Sequence, residues 1–129
     1  MRIAVVGSRP RFFKDPYAVK RLVQQHVASF EPMTIVVSGA APGVDTWAAE
    51  AARAYGFPCI EYPANWRPDG ETLDIRAGFR RNQLIVDQCD ELHAFWNGES
   101  KGTKDAIDRA KKAGKRVFVK VVAAAVQDA

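Results

Sequence analysis

The sequence predicts an α/β fold in which a mainly parallel sheet of five strands lies between two layers of helices. Short apolar runs rich in β-branched residues alternate along the chain with segments whose apolar residues recur at helical spacing. Runs such as 3–6 and 34–37 are apolar without alternation, which is typical of strands that are covered on both faces. Together these patterns indicate βα units in series.

The predicted elements follow one another with short connections, and capping residues support several of their bounds. Asp15 followed by Pro16 is typical of a helix start, and Gly56 and Gly114 are typical of the residues that follow helix ends. The strands are expected at 3–6, 34–37, 57–62, 92–96 and 116–122. The helices are expected at 15–30, 45–55, 75–89 and 103–113, the third with Phe79, Leu84, Ile85 and Val86 facing inward. Residues 63–73 are expected to be irregular.

Strands that are joined by single helices pack in parallel, with right-handed crossovers. The expected strand order is 3-2-1-4-5, which gives a Rossmann-like three-layer sandwich. In this order the winding reverses between the first and fourth strands, and ligands of such sheets bind beyond the carboxyl ends of those strands. The loops after strands one, two and four should therefore carry the functional residues.

Length and composition predict one domain over residues 1–122, followed by a tail, 123–129, that is either a short helix or frayed. The chain of 129 residues is 47% hydrophobic, which suffices for a core. Its apolar runs are shorter than the roughly 20 residues of a membrane span. Cys59 and Cys89 with two distant histidines do not form a zinc pattern. We therefore expect a cytoplasmic protein without a metal site or a membrane partner.

Each of the three loops at the predicted crevice combines glycine with polar side chains. Glycine lets backbone amides approach an anion, and a helix N-terminus behind the loop adds unpaired N–H donors. This pattern favours a phosphate site. The expected phosphate-binding residues of the loops are Gly7, Ser8, Arg9, Ser38, Gly39, Gly43, Asp45, Gly98, Ser100, Gly102 and Thr103.

Several of these residues also have a purely structural interpretation. Thr103 and Asp45 can be N-caps of the helices that follow them, and Arg9 can be a solvated surface residue. The alternative for Asp45 is to accept hydrogen bonds from a ribose or to order the neighbouring loops. Trp66 and Trp96 can stack on a base or belong to the core.

The ordered set of motifs resembles the SLOG superfamily, and in particular its short YspA-like branch. The resemblance rests on 6–9, 37–45, Arg81-Asn82 and Gly98-x-Ser100-x-Gly102-Thr103. The superfamily includes the LOG phosphoribohydrolases and DprA, which loads a recombinase on single-stranded DNA. The resemblance implies a nucleotide-binding domain, often a homodimer, and adds Arg81 and Asn82 to the expected ligand-binding residues.

The resemblance to LOG enzymes also implies catalytic candidates. Those enzymes cleave the N-glycosidic bond of a nucleoside 5′-monophosphate with an arginine and with a glutamate three residues after the Gly-Thr. Arg81 matches the arginine, but Ala106 stands where the glutamate is expected. Asp105 and Glu99 are the nearby acidic candidates. Whether the chain is an enzyme is left open by this departure.

We therefore expect a domain that binds a nucleotide or a nucleotide-derived ligand through these loops. A LOG-like nucleotide hydrolase is the first alternative, and DprA-like binding of single-stranded DNA is the second. We expect no nucleic-acid partner, because the densest basic cluster lies at the end of the fourth helix, away from the crevice: Lys111, Lys112, Lys115 and Arg116. No cofactor follows from the motifs, although a nucleotide ligand can carry a Mg²⁺ ion.

Overall fold

The structure, a computed structural model, describes residues 1–123 of the chain. The strands are β1 (Arg2–Gly7), β2 (Ile35–Ser38), β3 (Cys59–Glu61), β4 (Glu91–Trp96) and β5 (Arg116–Val121). The helices are α1 (Pro16–Ala28), α2 (Val44–Ala54), α3 (Ala77–Gln88) and α4 (Lys101–Lys112). A short 3₁₀ helix, Pro10–Phe12, follows β1 and is not evident from the sequence pattern. The predicted tail lies outside the described residues, apart from its first residue.

The five strands form one parallel sheet in the order β3-β2-β1-β4-β5, which confirms the predicted order and the Rossmann-like fold. In the register of the sheet, Ala4 of β1 lies opposite Val37 of β2 and Leu92 of β4. Because these strands are parallel, their carboxyl ends meet at one edge of the sheet. The loops that follow β1, β2 and β4 therefore start side by side.

Alternate residues of β1 supply the cores on the two faces of the sheet. Val5 packs with the buried face of α1 and α2, which includes Val23 and Ala48. Ala4 and Val6 pack on the other face with α3 and α4, through residues that include Ile85 and Ala106. This arrangement confirms the three-layer sandwich, since a central strand of such a sheet must be apolar on both faces.

Two of the four residues expected to face inward from α3 do not. Ile85 and Val86 are fully buried, but Phe79 is 38% exposed and Leu84 is 52% exposed. The buried face of α3 also contains Ala77 and Asn82. Since successive residues of a helix are turned by about 100°, this face excludes Leu84, which directly precedes Ile85. The prediction is therefore wrong for Phe79 and Leu84.

Two helix starts differ from the sequence prediction. Helix α4 begins at Lys101, with Ser100 at the N-cap position, so Thr103 lies buried in the first turn and is not the cap. Helix α2 begins at Val44 with Gly43 at the N-cap position, where φ is +92°. Asp45 is then inside the helix, which leaves its carboxylate free to bond outside it.

Within the described residues, no helix combines the length and the apolar character needed to cross a bilayer.

A pair of histidines bridges α1 and β4 on the face of the sheet opposite α3 and α4. His26 Nε2 and His93 Nδ1 are 2.7 Å apart, and His93 Nε2 is 3.1 Å from Glu91 Oε1. The His26 ring also packs edge to face on Phe30 and Phe95. Burial, with the nearby His93 and Lys120, lowers the pKa of His26 to about 4. His26 is therefore neutral in the folded chain at neutral pH.

This pKa predicts a loss of stability in mild acid. The unfolded chain has a histidine pKa of about 6.5 and binds a proton that folded His26 accepts only near pH 4. The contribution of His26 to the free energy of unfolding is thus present above pH 6.5 and is lost as the pH falls towards 4. Urea denaturation measures the free energy of unfolding at each pH. We expect its dependence on pH between these two values to be weaker in His26→Gln than in wild type. The prediction would be contradicted if the free energies of unfolding of wild type and variant changed with pH in parallel.

Candidate functional site

A cavity of about 680 Å³ opens at the carboxyl edge of the sheet, where the sequence predicted it. Its walls come from the turn after β1, the start of α2, the segment before α3, α3 itself and the start of α4. The predicted site residues that line it are Gly7, Ser8, Arg9, Asp45, Arg81, Asn82, Glu99, Ser100, Gly102 and Thr103. The remaining predicted residues, Ser38, Gly39, Gly43, Gly98 and Asp105, lie in neighbouring turns or on α4 but do not line it.

The turns after β1 and β4 are held together by a buried hydrogen-bond cluster of Ser8, Asn97 and Ser100. The Ser8 and Ser100 hydroxyl oxygens are 2.7 Å apart, and Ser8 Oγ donates to Asn97 Oδ1 at 3.3 Å. Either hydroxyl can be the donor of the shorter bond, so the two serines are bonded to each other at the junction. Asn97 Oδ1 also accepts from the amides of Glu99 and Ser100, at 3.0 and 2.8 Å. The cluster fixes the position of the first turn of α4 relative to β1.

Asn97 is a site-building residue that the sequence prediction missed. The signal was present, because asparagine at the start of a loop commonly bonds to the backbone two residues further on. Its bonds to Glu99 and Ser100 follow that pattern.

Asp45 joins β1, α2 and α3 at the floor of the cavity. It is 4% exposed, and its Oδ1 accepts from the amide of Gly7 at 3.2 Å. Arg81 of α3 donates to the carbonyl of Gly39. A Cβ on Gly39 would lie 2.5 Å from Asp45 Oδ2 and 2.7 Å from Arg81 Nη1, so only glycine leaves room for both groups. Of the two interpretations of Asp45, the structure supports the one in which it orders the loops.

Burial shifts the pKa of both members of this pair. It raises the pKa of Asp45 to about 6, although Arg81 and the amides of Ala41, Gly7 and Gly39 act in the opposite direction. Burial likewise lowers the pKa of Arg81, and the Asp45 carboxylate offsets part of that effect. Arg81 stays a cation, because an arginine side chain is effectively always protonated in proteins.

Asn82 and Asp105 lie between α3 and α4. Asn82 Nδ2 donates to the carbonyl of Gly102 at 3.1 Å and to Asp105 Oδ2 at 3.0 Å. The same Asp105 oxygen accepts from Arg109 Nε at 2.8 Å. Of the three catalytic candidates, the structure brings Arg81 and Glu99 to the cavity but turns Asp105 into the helix interface.

Cations and aromatic rings complete the cavity wall. Arg11 and Lys101 line it together with Arg9. Trp66 also lines it, with Ile75, Phe79 and Phe12. Trp96 does not: it is half-buried, and its Nε1 donates to the carbonyl of Ser100 at 3.0 Å. Among residues 1–123, no cluster of three or more His, Cys, Asp or Glu side chains is arranged to hold a metal ion.

A protein-family model matches the half of the chain that contains the turns after β1 and β2. It is that of the YspA, cpYpsA-related SLOG family (YAcAr), and it matches residues 1–68. The chain belongs to this family. The resemblance inferred from the motifs is therefore confirmed. No curated protein matches the chain.

Two solved structures share the fold of this SLOG chain. DNA processing protein A (DprA) from Streptococcus pneumoniae is 23% identical with a TM-score of 0.69, over 92% of this chain and 49% of that protein. DNA processing protein A from Helicobacter pylori, described for its unique single-stranded DNA binding mode, is 18% identical with a TM-score of 0.61. That match covers 92% of this chain and 64% of the other. The SLOG chain thus spans less than two thirds of either protein.

These structures correct one expectation. The exclusion of a nucleic-acid partner is wrong, because a protein of the same fold, the Helicobacter pylori DprA, binds single-stranded DNA. The expectation of no nucleic-acid partner rested only on the basic cluster at the end of α4. Arg9, Arg11 and Lys101 are scattered in the sequence, but the fold gathers them at the cavity.

The raised pKa of Asp45 predicts a pH dependence of stability opposite in sign to that of His26. Folded Asp45 binds its proton more tightly than the unfolded chain, whose aspartate pKa is 3.8. Its stabilising contribution is therefore complete below pH 3.8 and is lost as the pH rises through 6, at about 1.4 kcal/mol per unit of pKa difference. Asp45→Asn should lack this loss in urea unfolding measured from pH 4 to 7.

Arg81→Gln provides a second arm of the same measurement. Since the Arg81 charge favours the ionised carboxylate, its removal should move the Asp45 transition to higher pH. The assignment fails if the difference in the free energy of unfolding between wild type and Asp45→Asn does not change with pH. It also fails if Arg81→Gln moves the Asp45 transition to lower pH. Circular dichroism at pH 7 verifies that both variants are folded.

Proposed function

We propose that the cavity binds the phosphate of a nucleotide or a nucleotide-derived ligand, and that the chain acts as a ligand-binding SLOG domain. The observation that carries this proposal is the joining of the β1 and β4 turns by Ser8, Asn97 and Ser100 beside three cationic side chains. The junction lines the cavity at the edge where parallel sheets of this order bind ligands.

Backbone amides are the best phosphate donors at this junction. The hydroxyls of Ser8 and Ser100 are buried and bonded to each other, and Ser8 is also within hydrogen-bond distance of Asn97. The first amides of an α-helix have no partner inside the helix and carry its positive dipole end. Those of α4 belong to Lys101, Gly102 and Thr103, all of which line the cavity. In this proposal the serines hold the site and the amides bind the ligand.

The cations add charge to these donors. Arg9 follows the β1 turn and Lys101 opens α4, so the two approach the junction from both of its sides. The carboxylate of Asp45 offsets part of the Arg81 charge, which leaves Arg9, Arg11 and Lys101 as the main sources of positive charge. A guanidinium and an ammonium beside free amides suit a phosphate group.

Hydrolysis of the ligand is not part of the proposal. Ala106 lines the cavity, whereas Asp105 is bonded to Asn82 and Arg109. The acids that remain are Glu99, which is exposed, and the buried Asp45. A homodimer, a ligand-borne Mg²⁺ ion and a cytoplasmic location stay predictions from the sequence.

The proposal predicts that AMP binds and that Lys101 contributes to its affinity. In isothermal titration calorimetry, Lys101→Ala and Arg9→Ala should each weaken AMP binding by about 10- to 100-fold, the range for hydrogen bonds to charged groups. Lys112→Ala is the matched control, because Lys112 is a cation at the other end of the same helix. Equal losses for Lys101→Ala and Lys112→Ala would show a general charge effect and no site.

The same samples test hydrolysis. Chromatography of AMP after incubation with wild-type protein should show no free adenine. Adenine release that disappears in Arg81→Ala would show that the LOG-like reaction takes place and that binding is only its first step.

A second candidate function, binding of single-stranded DNA, is favoured by the fold shared with the DprA proteins. Proteins that bind single strands combine cations along the backbone with aromatic rings that stack on bases. Arg9, Arg11, Lys101 and Trp66 provide both kinds of group at one cavity.

This candidate predicts a binding constant for oligo(dT) that falls with salt. The slope of log K against log salt is about −0.7 for each phosphate contact with a single strand. Fluorescence anisotropy should give a slope that Lys101→Ala reduces by about that amount and Lys112→Ala leaves unchanged. The candidate is excluded if labelled oligo(dT) shows no binding at low salt.

A further inference from the structure

Trp66 forms an aromatic wall of the cavity. It lies in the irregular segment between β3 and α3, and 38% of the residue is exposed. Its neighbours on the cavity wall include Ile75, Gly78 and Phe79. The proposed phosphate site uses none of these groups. A large ring left half-open in a concave site is available to a ligand with an apolar face.

The position of the Trp66 ring depends on Gly78. A Cβ on Gly78 would lie 3.1 Å from Trp66 Cη2 and 3.6 Å from Cζ2. The absence of a side chain at residue 78 therefore lets the indole lie directly against the first turn of α3. The ring has helix backbone behind it and the cavity in front of it.

The segment that carries Trp66 is fastened to α3. The amide of Asp74 donates to the carbonyl of Trp66 at 2.6 Å. The Asp74 side chain forms an ion pair with Arg80. The backbone carbonyl of Asp74 accepts from the amide of Ala77 at 3.2 Å. A backbone held in this way loses less conformational entropy when a ligand binds to its side chains.

The aromatic wall adjoins the cation on the cavity floor. The same point that is 3.1 Å from Trp66 Cη2 is 3.9 Å from Arg81 Nη2. A ligand in contact with the ring is thus next to the guanidinium of Arg81. An aromatic group attached to a phosphate through a short linker has this combination of properties.

We infer that Trp66 stacks on the base of the bound nucleotide and, with Gly78 behind it, selects nucleotides over sugar phosphates. The inference rests on the proposed function, since it assigns the second half of the same ligand. Every base has a π-face that indole can cover, whereas a ribose 5-phosphate has none. The phosphate contacts are common to both ligands, so only the aromatic wall separates them.

The test measures the affinities of AMP and ribose 5-phosphate for the same set of proteins by calorimetry. Wild type should bind AMP more tightly than ribose 5-phosphate. Trp66→Ala should lower the AMP affinity by about 10- to 100-fold, which corresponds to the loss of one base–aromatic stack, and change the ribose 5-phosphate affinity by less than about twofold. Trp66→Phe should retain most of the AMP affinity. Tyr55→Ala, which removes an exposed aromatic residue outside the cavity, is the control.

Gly78→Ala tests the same inference with Trp66 in place. Alanine is favoured over glycine in a helix, so this variant should fold, but its methyl group would lie 3.1 Å from Trp66 Cη2, so the edge of the indole has to shift towards the cavity. We expect a lower AMP affinity with unchanged binding of ribose 5-phosphate.

The inference is overturned if wild type binds both probes equally, or if AMP affinity is unchanged in Trp66→Ala and Gly78→Ala. In either case binding of ribose 5-phosphate would leave the proposed function intact. If neither probe binds wild type, the proposed function itself is wrong, and the base site is rejected with it.

Discussion

The buried carboxylate of Asp45 is the interaction on which the geometry of the cavity depends. An ionisable group with 4% exposure would be costly without partners, and burial raises its pKa to about 6. The amide of Gly7 and the charge of Arg81 offset only part of this cost, since the pKa stays raised. One side chain on α2 is thereby bonded to β1 and lies near the charge of Arg81 on α3. Because this partial compensation requires all three elements to be in place, the carboxylate favours the arrangement that forms the cavity.

The two serines illustrate how structural and binding roles can divide within one glycine-containing loop pattern. Ser8 and Ser100 have the residue type of phosphate ligands, but they are buried and bonded to each other, and Ser8 also to Asn97. In the proposed site their role is therefore indirect: they fix the start of α4 next to the β1 turn. The groups that remain unpaired in a first helical turn are backbone amides, which no sequence motif identifies by residue type.

The fold was largely predictable, because alternation of apolar runs with helical spacing reports directly on βα units. The order of the strands followed from the handedness of the crossovers. What the sequence did not reveal depends on contacts between distant segments. Aspartate is a residue type that commonly caps helices, so the sequence could not distinguish a cap at Asp45 from another role. The bond from the amide of Gly7 and the position of Gly43 as N-cap show that Asp45 is not the cap. Helical periodicity likewise failed for Leu84, since Asn82 shares the buried face of α3 and turns Leu84 outward.

The same limitation explains the error about nucleic acid. Charge clusters in a sequence are visible only when the residues are consecutive, as at the end of α4. Lys101 lies far along the chain from Arg9 and Arg11. The parallel sheet brings all three to one edge, because β1 and β4 are neighbours in it. Charge patterning therefore measures local density, whereas binding depends on density in space.

The ligands of the two candidate functions carry different charges at the same proposed phosphate site. A terminal phosphate of a free nucleotide carries between one and two negative charges at neutral pH, as other phosphate monoesters do, with a second pKa near 6. A phosphodiester inside a strand carries only one. Lys101, Arg9 and the amino end of α4 all interact more strongly with the higher charge. A strand gains its affinity by adding contacts from several nucleotides, whereas a nucleotide must obtain it from one. In the proposed site, the density of donors around a single phosphate is thus the property that favours a nucleotide over a strand, and the aromatic wall is available to either ligand.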